Sequence, residues 1–219
     1  MGCPTVKLEL LNVSAVVLAK GHNPTILHPS FLSQGIVPTE WEPVQVICTP
    51  PFSVAKYRNG ITFTVDNSNL QVLEEPPPTP PSSSQVPSLA AKYIEKLPHV
   101  RYAAVGINFT AIVPCDNPEE LFIQRFLKPG AWDTNPLLLK ALALRFVYPL
   151  ESGRLTLACE PGKLKREGRE IAVIRLDANY HTDLTADKPL DQARQALSLF
   201  PQRCEHFIKT ATTVFGLEG

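Results

Sequence analysis

The chain has no long apolar run. Its most hydrophobic stretches, around Val13–Leu18 and Leu137–Leu144, fall well short of the roughly 20 residues that a membrane-spanning helix requires. It has no excess of charge either, since 21 lysines and arginines balance 21 aspartates and glutamates. No global field draws it to nucleic acid or to an anionic membrane, and electrostatic recognition has to be local. Its five cysteines, Cys3, Cys48, Cys115, Cys159 and Cys204, form no Cys-x-x-Cys pair. An odd, scattered set of this kind reads as reduced thiols, and core packing is the expectation for Cys48, Cys159 and Cys204. A phosphate-cradling glycine loop, a Gly-x-Ser-x-Gly elbow and a His-Glu-x-x-His helix are all missing, which weakens the case for an enzyme. The first residues carry one lysine before Leu8 and then alternate, without the basic segment and apolar helix of a secretory signal. The expectation is a cytoplasmic protein with no cofactor.

What the chain does have is an apolar content of 44% over 219 residues, enough for a core that needs neither disulfides nor a metal. Its most distinctive segment is Glu74–Ser84, with Pro76, Pro77, Pro78, Pro80 and Pro81 followed by three serines. Prolines donate no ladder hydrogen bonds and favour extended polyproline II, so the segment divides the chain. Residues 1–75 read as a β-rich half, 76–87 as a linker or an internal loop, and 88–219 as an α+β half, with one composite domain as the alternative to two.

In the first half, Val6–Leu18 alternates and then turns uniformly apolar, as a strand entering a core. Gly21-His22-Asn23-Pro24 stops it, and Pro29–Gly35 has room for one or two helical turns. A meander follows through Val44–Cys48, Ser53–Tyr57, Ile61–Val65 and Leu70–Leu73, with Asn59-Gly60 and Asp66–Asn69 as turns. In the second half the pattern predicts a helix from Pro87 to Leu97, a strand over Tyr102–Val113 and a helix opening at Asn117-Pro118. Strands over Leu138–Tyr148, Arg154–Cys159 and Glu170–His181 come next, with Pro161–Gly168 as a hairpin loop. A helical stripe then runs from Leu190 to Phe215, which Pro201 should kink or split. Consecutive strands with few crossovers predict an α+β fold, with one or two curved antiparallel sheets and helices packed on one face.

Three constellations carry chemistry. Asp177, Asn179, His181 and Asp183 share one face of a strand, and Asp177, His181 and Asp183 are the candidate metal ligands of a hydrolase. Same-face neighbours lie about 7 Å apart, too far for all to reach one ion, so the wet side of a half-buried strand is the simpler account. Lys163, Lys165, Arg166 and Arg169 form a basic cluster able to grip phosphate, although no aromatic residue is interleaved for nucleic-acid stacking. His22, His28 and Trp41 lie in or beside one loop, where binding residues concentrate and where histidines also stabilise turns.

His22-Asn23-Pro24-Thr25-Ile26-Leu27, Gly35-Ile36-Val37-Pro38, Thr49-Pro50-Pro51 and Val105-Gly106-Ile107-Asn108-Phe109 together resemble a group of uncharacterised bacterial α+β proteins of similar length. That resemblance implies a bacterial cytoplasmic protein and supplies no catalytic residues. Asp177-Ala178-Asn179-Tyr180 and the helix after it are similar to a second such group. The functional expectation is a non-enzymatic protein-binding adaptor or accessory subunit of a larger assembly, with bacterial defence and CRISPR-associated systems among the settings. Its partner would meet exposed strand edges, the five prolines, His22 or Trp41. The alternatives are nucleic-acid binding through the 163–169 cluster and metal-dependent hydrolysis around His181.

Overall fold

The computed structural model describes residues 7–133 and 138–216. Period-two patterning produces nine strands: β1 (Glu9–Lys20), β2 (Pro43–Cys48), β3 (Phe52–Tyr57), β4 (Ile61–Asp66), β5 (Asn69–Glu74), β6 (Arg101–Pro114), β7 (Leu144–Leu150), β8 (Gly153–Arg166) and β9 (Arg169–Asp183). They form one open antiparallel sheet in the order β2-β3-β4-β5-β1-β6-β9-β8-β7. Five helices pack against it: α1 (Pro29–Leu32), α2 (Val86–Glu95), α3 (Pro118–Phe126), α4 (Pro189–Ser198) and α5 (Phe200–Phe215). The fold is therefore α+β. Among the described residues no helix is long and apolar enough to cross a membrane.

The register explains which face is covered. Val46, Ala55, Phe63, Val72, Ala15, Ile107, Tyr180, Leu155 and Tyr148 are successive neighbours across all nine strands. One residue away, Gln45, Lys56, Thr62, Leu73, Ser14, Asn108, Asn179, Thr156 and Val147 make a second row on the opposite face. Alternate side chains point to opposite sides of a strand, so the apolar row faces the helix side, exposed at its Val46 end, and the mostly polar row faces out. The centre of the covered side is Phe109, fully buried, which stacks on Phe207 at 5.4 Å and meets Phe200 and Tyr180. Phe122 of α3 and Phe215 of α5 extend this aromatic packing.

The turn chemistry follows its residues. Gly60 sits at φ +90°, a backbone conformation glycine takes at no steric cost, and the Asn59 side chain accepts from Ile61 N at 3.2 Å. Asp66 accepts from the backbone N–H groups of Ser68 and Asn69, both at 2.7 Å. The stripe from Leu190 splits between α4 and α5, with Pro201 in the first turn of α5, where its missing N–H has no helical partner to lose.

Two boundaries differ from the sequence pattern. The strand expected from Leu138 begins at Leu144, and the one expected to end at Cys159 runs on to Arg166. Both have one cause. The β7–β8 ladder stops at Leu144 opposite Cys159, just short of Pro161 and Gly162 in β8. Beyond that point β8 is an edge, paired only with β9, and an edge strand tolerates a residue with no N–H. At α3 the helix opens at Pro118 as its sequence predicts, and Asn117 makes no side-chain capping bond.

The sheet is continuous across the proline segment, because β1 pairs with β5 on one side and with β6 on the other. The segment itself connects β5 to α2. Pro76 and Pro80 are exposed, Pro77, Pro78 and Pro81 are half-buried, and the 3-10 turn Pro81–Ser83 lies against α5. At its far end Ser84 is buried and accepts from Val86 N at 3.2 Å, ordering the entry to α2.

Candidate functional site

The outer face of β9 does carry Asp177, Asn179, His181 and Asp183, but each charged group is already engaged. Asp177 accepts from Thr110 at 2.8 Å and from Arg175 at 2.7 and 3.2 Å. His181 Nε2 lies 2.9 Å from Asp183, whose carboxyl is held below its usual range by that bond and, more weakly, by the His181 and Arg154 charges. Asp177 and His181 are four residues apart along one extended strand, roughly 13 Å by strand rise, so they do not converge. Among the described residues no group of three or more His, Cys, Asp or Glu side chains is placed to hold a metal ion.

The basic cluster is not a loop. Lys163, Lys165 and Arg166 lie in β8 and Arg169 in β9, with the reversal at Glu167-Gly168, so the expected Pro161–Gly168 loop is instead a two-stranded extension of the sheet. Lys163 bonds to Glu170 at 3.2 Å, and Arg166 donates to Glu9 of β1. Two of the four cations thus meet carboxylates, which lowers the local potential open to a phosphate backbone.

In the loop between β1 and β2, His22 and Trp41 turn inward while His28 is exposed. His22 is buried, its Nε2 lies 3.3 Å from Val17 O, and burial holds its pKa below the ordinary value. Trp41 is half-buried against Tyr57, with ring centres 5.6 Å apart. His28 accepts from Ser30 N and lies 2.8 Å from Ser30 Oγ, a cap on α1. Cys159 and Cys204 are buried thiols, pushed up by burial to about 12 and about 11, and are therefore protonated and unreactive. Cys48 departs from the core-packing expectation. It is exposed, because β2 lies at the margin of the sheet, and its thiol donates to Thr25 O at 3.3 Å. Cys3 lies outside the described residues.

At the middle of the open face, Asn179 donates to Asn108 at 2.6 Å and Asn108 donates to Ser14 at 3.2 Å, linking β9, β6 and β1. Gly106 leaves space beside them, since a Cβ there would come within 3.1 Å of the Asn179 amide nitrogen. Asn179, Asn108 and Ser14, with Asn12, Gln71, Thr156 and Arg145, line an open depression of 350 Å³. Within it Ser14, Asn108 and Asn179 bond to one another, and Thr110 bonds to Asp177.

The two margins of the sheet differ in charge. Among the described residues β7 pairs only with β8, and β2 only with β3. β7 carries Arg145 and Pro149 and is held from one side by the contact of Phe146 with Phe126 of α3. Charge and proline are the devices by which natural edge strands refuse further pairing. β2, Pro43-Val44-Gln45-Val46-Ile47-Cys48, has no charged residue. Every one of its residues is exposed, including Val44 at 49%, Val46 at 41% and Ile47 at 37%, and the adjoining Phe52 is at 42%. The nearest ion pair, Arg58 with Glu42 at 2.8 Å, is closed on itself.

No family model matches the chain, and no curated protein matches its sequence.

The sequence marks Val44–Cys48 as one strand of a meander, and nothing local sets it apart from its neighbours. Its edge position comes from the pairing order of the whole sheet. The available signal was negative: a strand with no charge, flanked by Pro43 at one end and by Pro50 and Pro51 just beyond the other.

Proposed function

We propose that this chain is a non-enzymatic protein-binding subunit that joins a larger assembly by main-chain pairing along β2. The observation that carries the reading is the asymmetry of the two edges in charge: each strand has one proline, but β7 carries Arg145, whereas β2 has no charged residue and leaves Val44, Val46 and Ile47 exposed. An unpaired edge offers a row of N–H and C=O groups to an extended segment, with side-chain contacts on both faces adding selectivity. A non-catalytic role is supported by the polar groups of the open face, where Asp177, His181, Asn108 and Asn179 are committed to partners within the sheet.

Recovery of the tagged protein from its native host, as wild type, Val46→Lys and Val147→Lys, tests the reading. Lysine on an edge opposes strand addition, so proteins retained by wild type are expected to be lost from Val46→Lys and kept by Val147→Lys on the opposite margin. If all three forms retain the same set, or none retains any, the reading fails.

A further inference from the structure

We infer that the tip of the β8–β9 hairpin, residues 163–172, is a strap clasped across one end of the open face by Arg166 and Glu9, and that it opens when this ion pair is screened or lost. The register defines the strap. β7 runs out opposite Cys159 and β6 opposite Val173, so past Pro161 and Gly162 the two strands pair with each other and, among the described residues, with no third strand. One further bond, from Cys115 N to Ala172 O at 3.1 Å, ties the base of the strap to the end of β6. At its tip Glu167 and Gly168 both take left-handed backbone, φ +51° and +78°, as a two-residue hairpin turn requires. A two-stranded hairpin alone is marginally stable in water, so the order of this one depends on what its tip touches.

The tip touches β1. Arg166 donates to Glu9 although β9 and β6 lie between their strands. Both residues belong to the open face: Arg166 is opposite Arg169, which alternation places with Asp177 and Asn179, and Glu9 is opposite Ile112, which alternation places with Asn108 and Thr110. To reach so far the tip bends toward that face, in keeping with the strong twist of a two-stranded ribbon. At the same end Ile112 and Val173 are buried although they share the face that no helix covers, and neither joins the core beneath the helices. Leu164 and Ile171, half-buried, make up the open-face side of the strap itself. The clasped row lies one same-face step beyond Thr110, so the strap borders the polar depression. Both side chains of the clasp are half-exposed, and an ion pair in that setting is weak and screened by salt. Arg169 stands opposite Arg166, so Glu9 also offsets a repulsion between like charges. The clasp is therefore a contact that opens readily, and opening clears the Thr110 end of the depression and uncovers Ile112 and Val173.

Hydrogen exchange of the full chain, read by mass spectrometry on fragments covering 163–172, tests the inference at about 20 mM and about 500 mM NaCl. Wild type is expected to exchange about two- to fivefold faster there at the higher salt, with the centre of β1 unchanged. Glu9→Gln and Arg166→Gln each remove one side of the clasp, and both are expected to exchange that fast already at low salt, with little further response. Either variant decides alone if the other fails to fold. Equal exchange of 163–172 in wild type and variants overturns the inference. So does a salt response that persists in both variants, which would trace it to the Lys163 and Glu170 pair inside the strap. A rise spread over every strand would mean that the whole sheet loosens, and overturns it as well.

Discussion

Ser84 donates to the Glu74 carboxylate at 2.5 Å, so the last residue of β5 and the entry to α2 are tied together across the base of the proline segment. The same hydroxyl accepts from Val86 N, and Ser84 is buried. Ser84→Ala removes both bonds and leaves the Val86 N–H without its partner, for an expected loss of about 1–2 kcal/mol in urea denaturation. A loss too small to measure would mean that neither bond contributes to the folded state.

Gly153, at the β7–β8 turn, has φ +100°, and an added Cβ would lie 1.9 Å from the backbone oxygen of His181. Because the obstacle is main chain and not a flexible side-chain end, Gly153→Ala has to displace β9 as well as strain its own backbone. The expected cost is about 2–4 kcal/mol, by analogy with other incompatible backbone substitutions. By contrast Gly168→Ala, also at positive φ, meets no atom within 4 Å and should cost about 1–2 kcal/mol, the left-handed penalty alone. Equal melting temperatures for the two variants would contradict the contact with His181.

Phe109 is fully buried among Tyr180, Phe200 and Phe207, at the point where the sheet meets α5. Truncation to alanine loses the transfer energy of the ring and leaves a cavity, which together cost about 3–5 kcal/mol. Phe52→Ala, on an exposed ring beside β2, is expected to change stability by less than about 0.5 kcal/mol. Chemical denaturation of both variants checks the contrast, and comparable losses would place the core elsewhere.

Stability should also fall with mild acid. Burial holds His22 below its ordinary value of 6.5, against a hydrogen bond to Val17 and the Asp66 charge, which act the other way. His206 is lowered by burial and then by the Arg203 and Lys209 charges. Above the ordinary value both folded and unfolded rings are neutral and contribute no pH dependence. As the pH drops through it, the unfolded chain takes up protons that the folded chain resists, so stability declines until the folded rings titrate too. Denaturation midpoints at about pH 7.5 and about pH 5.5 should differ, and His22→Gln should reduce the difference. An identical difference in wild type and variant would remove His22 as a contributor.

Local chemistry made much of this fold legible. Asn59-Gly60 marks the β3–β4 hairpin, Asn117-Pro118 marks the start of α3, and Pro201 marks the division between α4 and α5. The mistaken boundaries at Leu138 and Cys159 depend on which strand lies beside which: Pro161 interrupts a strand only where its N–H is needed, and that is decided by the extent of β7. The candidate site was hidden for the same reason. Val46 and Val72 have the same side chain and the same alternating context, but one lies at the margin of nine strands and the other near the middle. Asp177, Asn179 and His181 were placed correctly on one face. Their partners Thr110, Asn108 and Asp183 determine what that face is free to do, and the first two come from a strand far away in sequence.

The central place of β1 bears on how the chain reaches this structure. Val13 pairs with Glu74 on one side and with Phe109 on the other, so β1 leaves the ribosome well before either of its neighbours exists. Pairings so distant in sequence are slow to form, because the intervening chain must be drawn together before any contact repays the lost freedom. During synthesis the apolar stretch Val13–Leu18 therefore waits without a partner, and this is the interval in which a nascent chain of this topology is most exposed to aggregation and most dependent on chaperones.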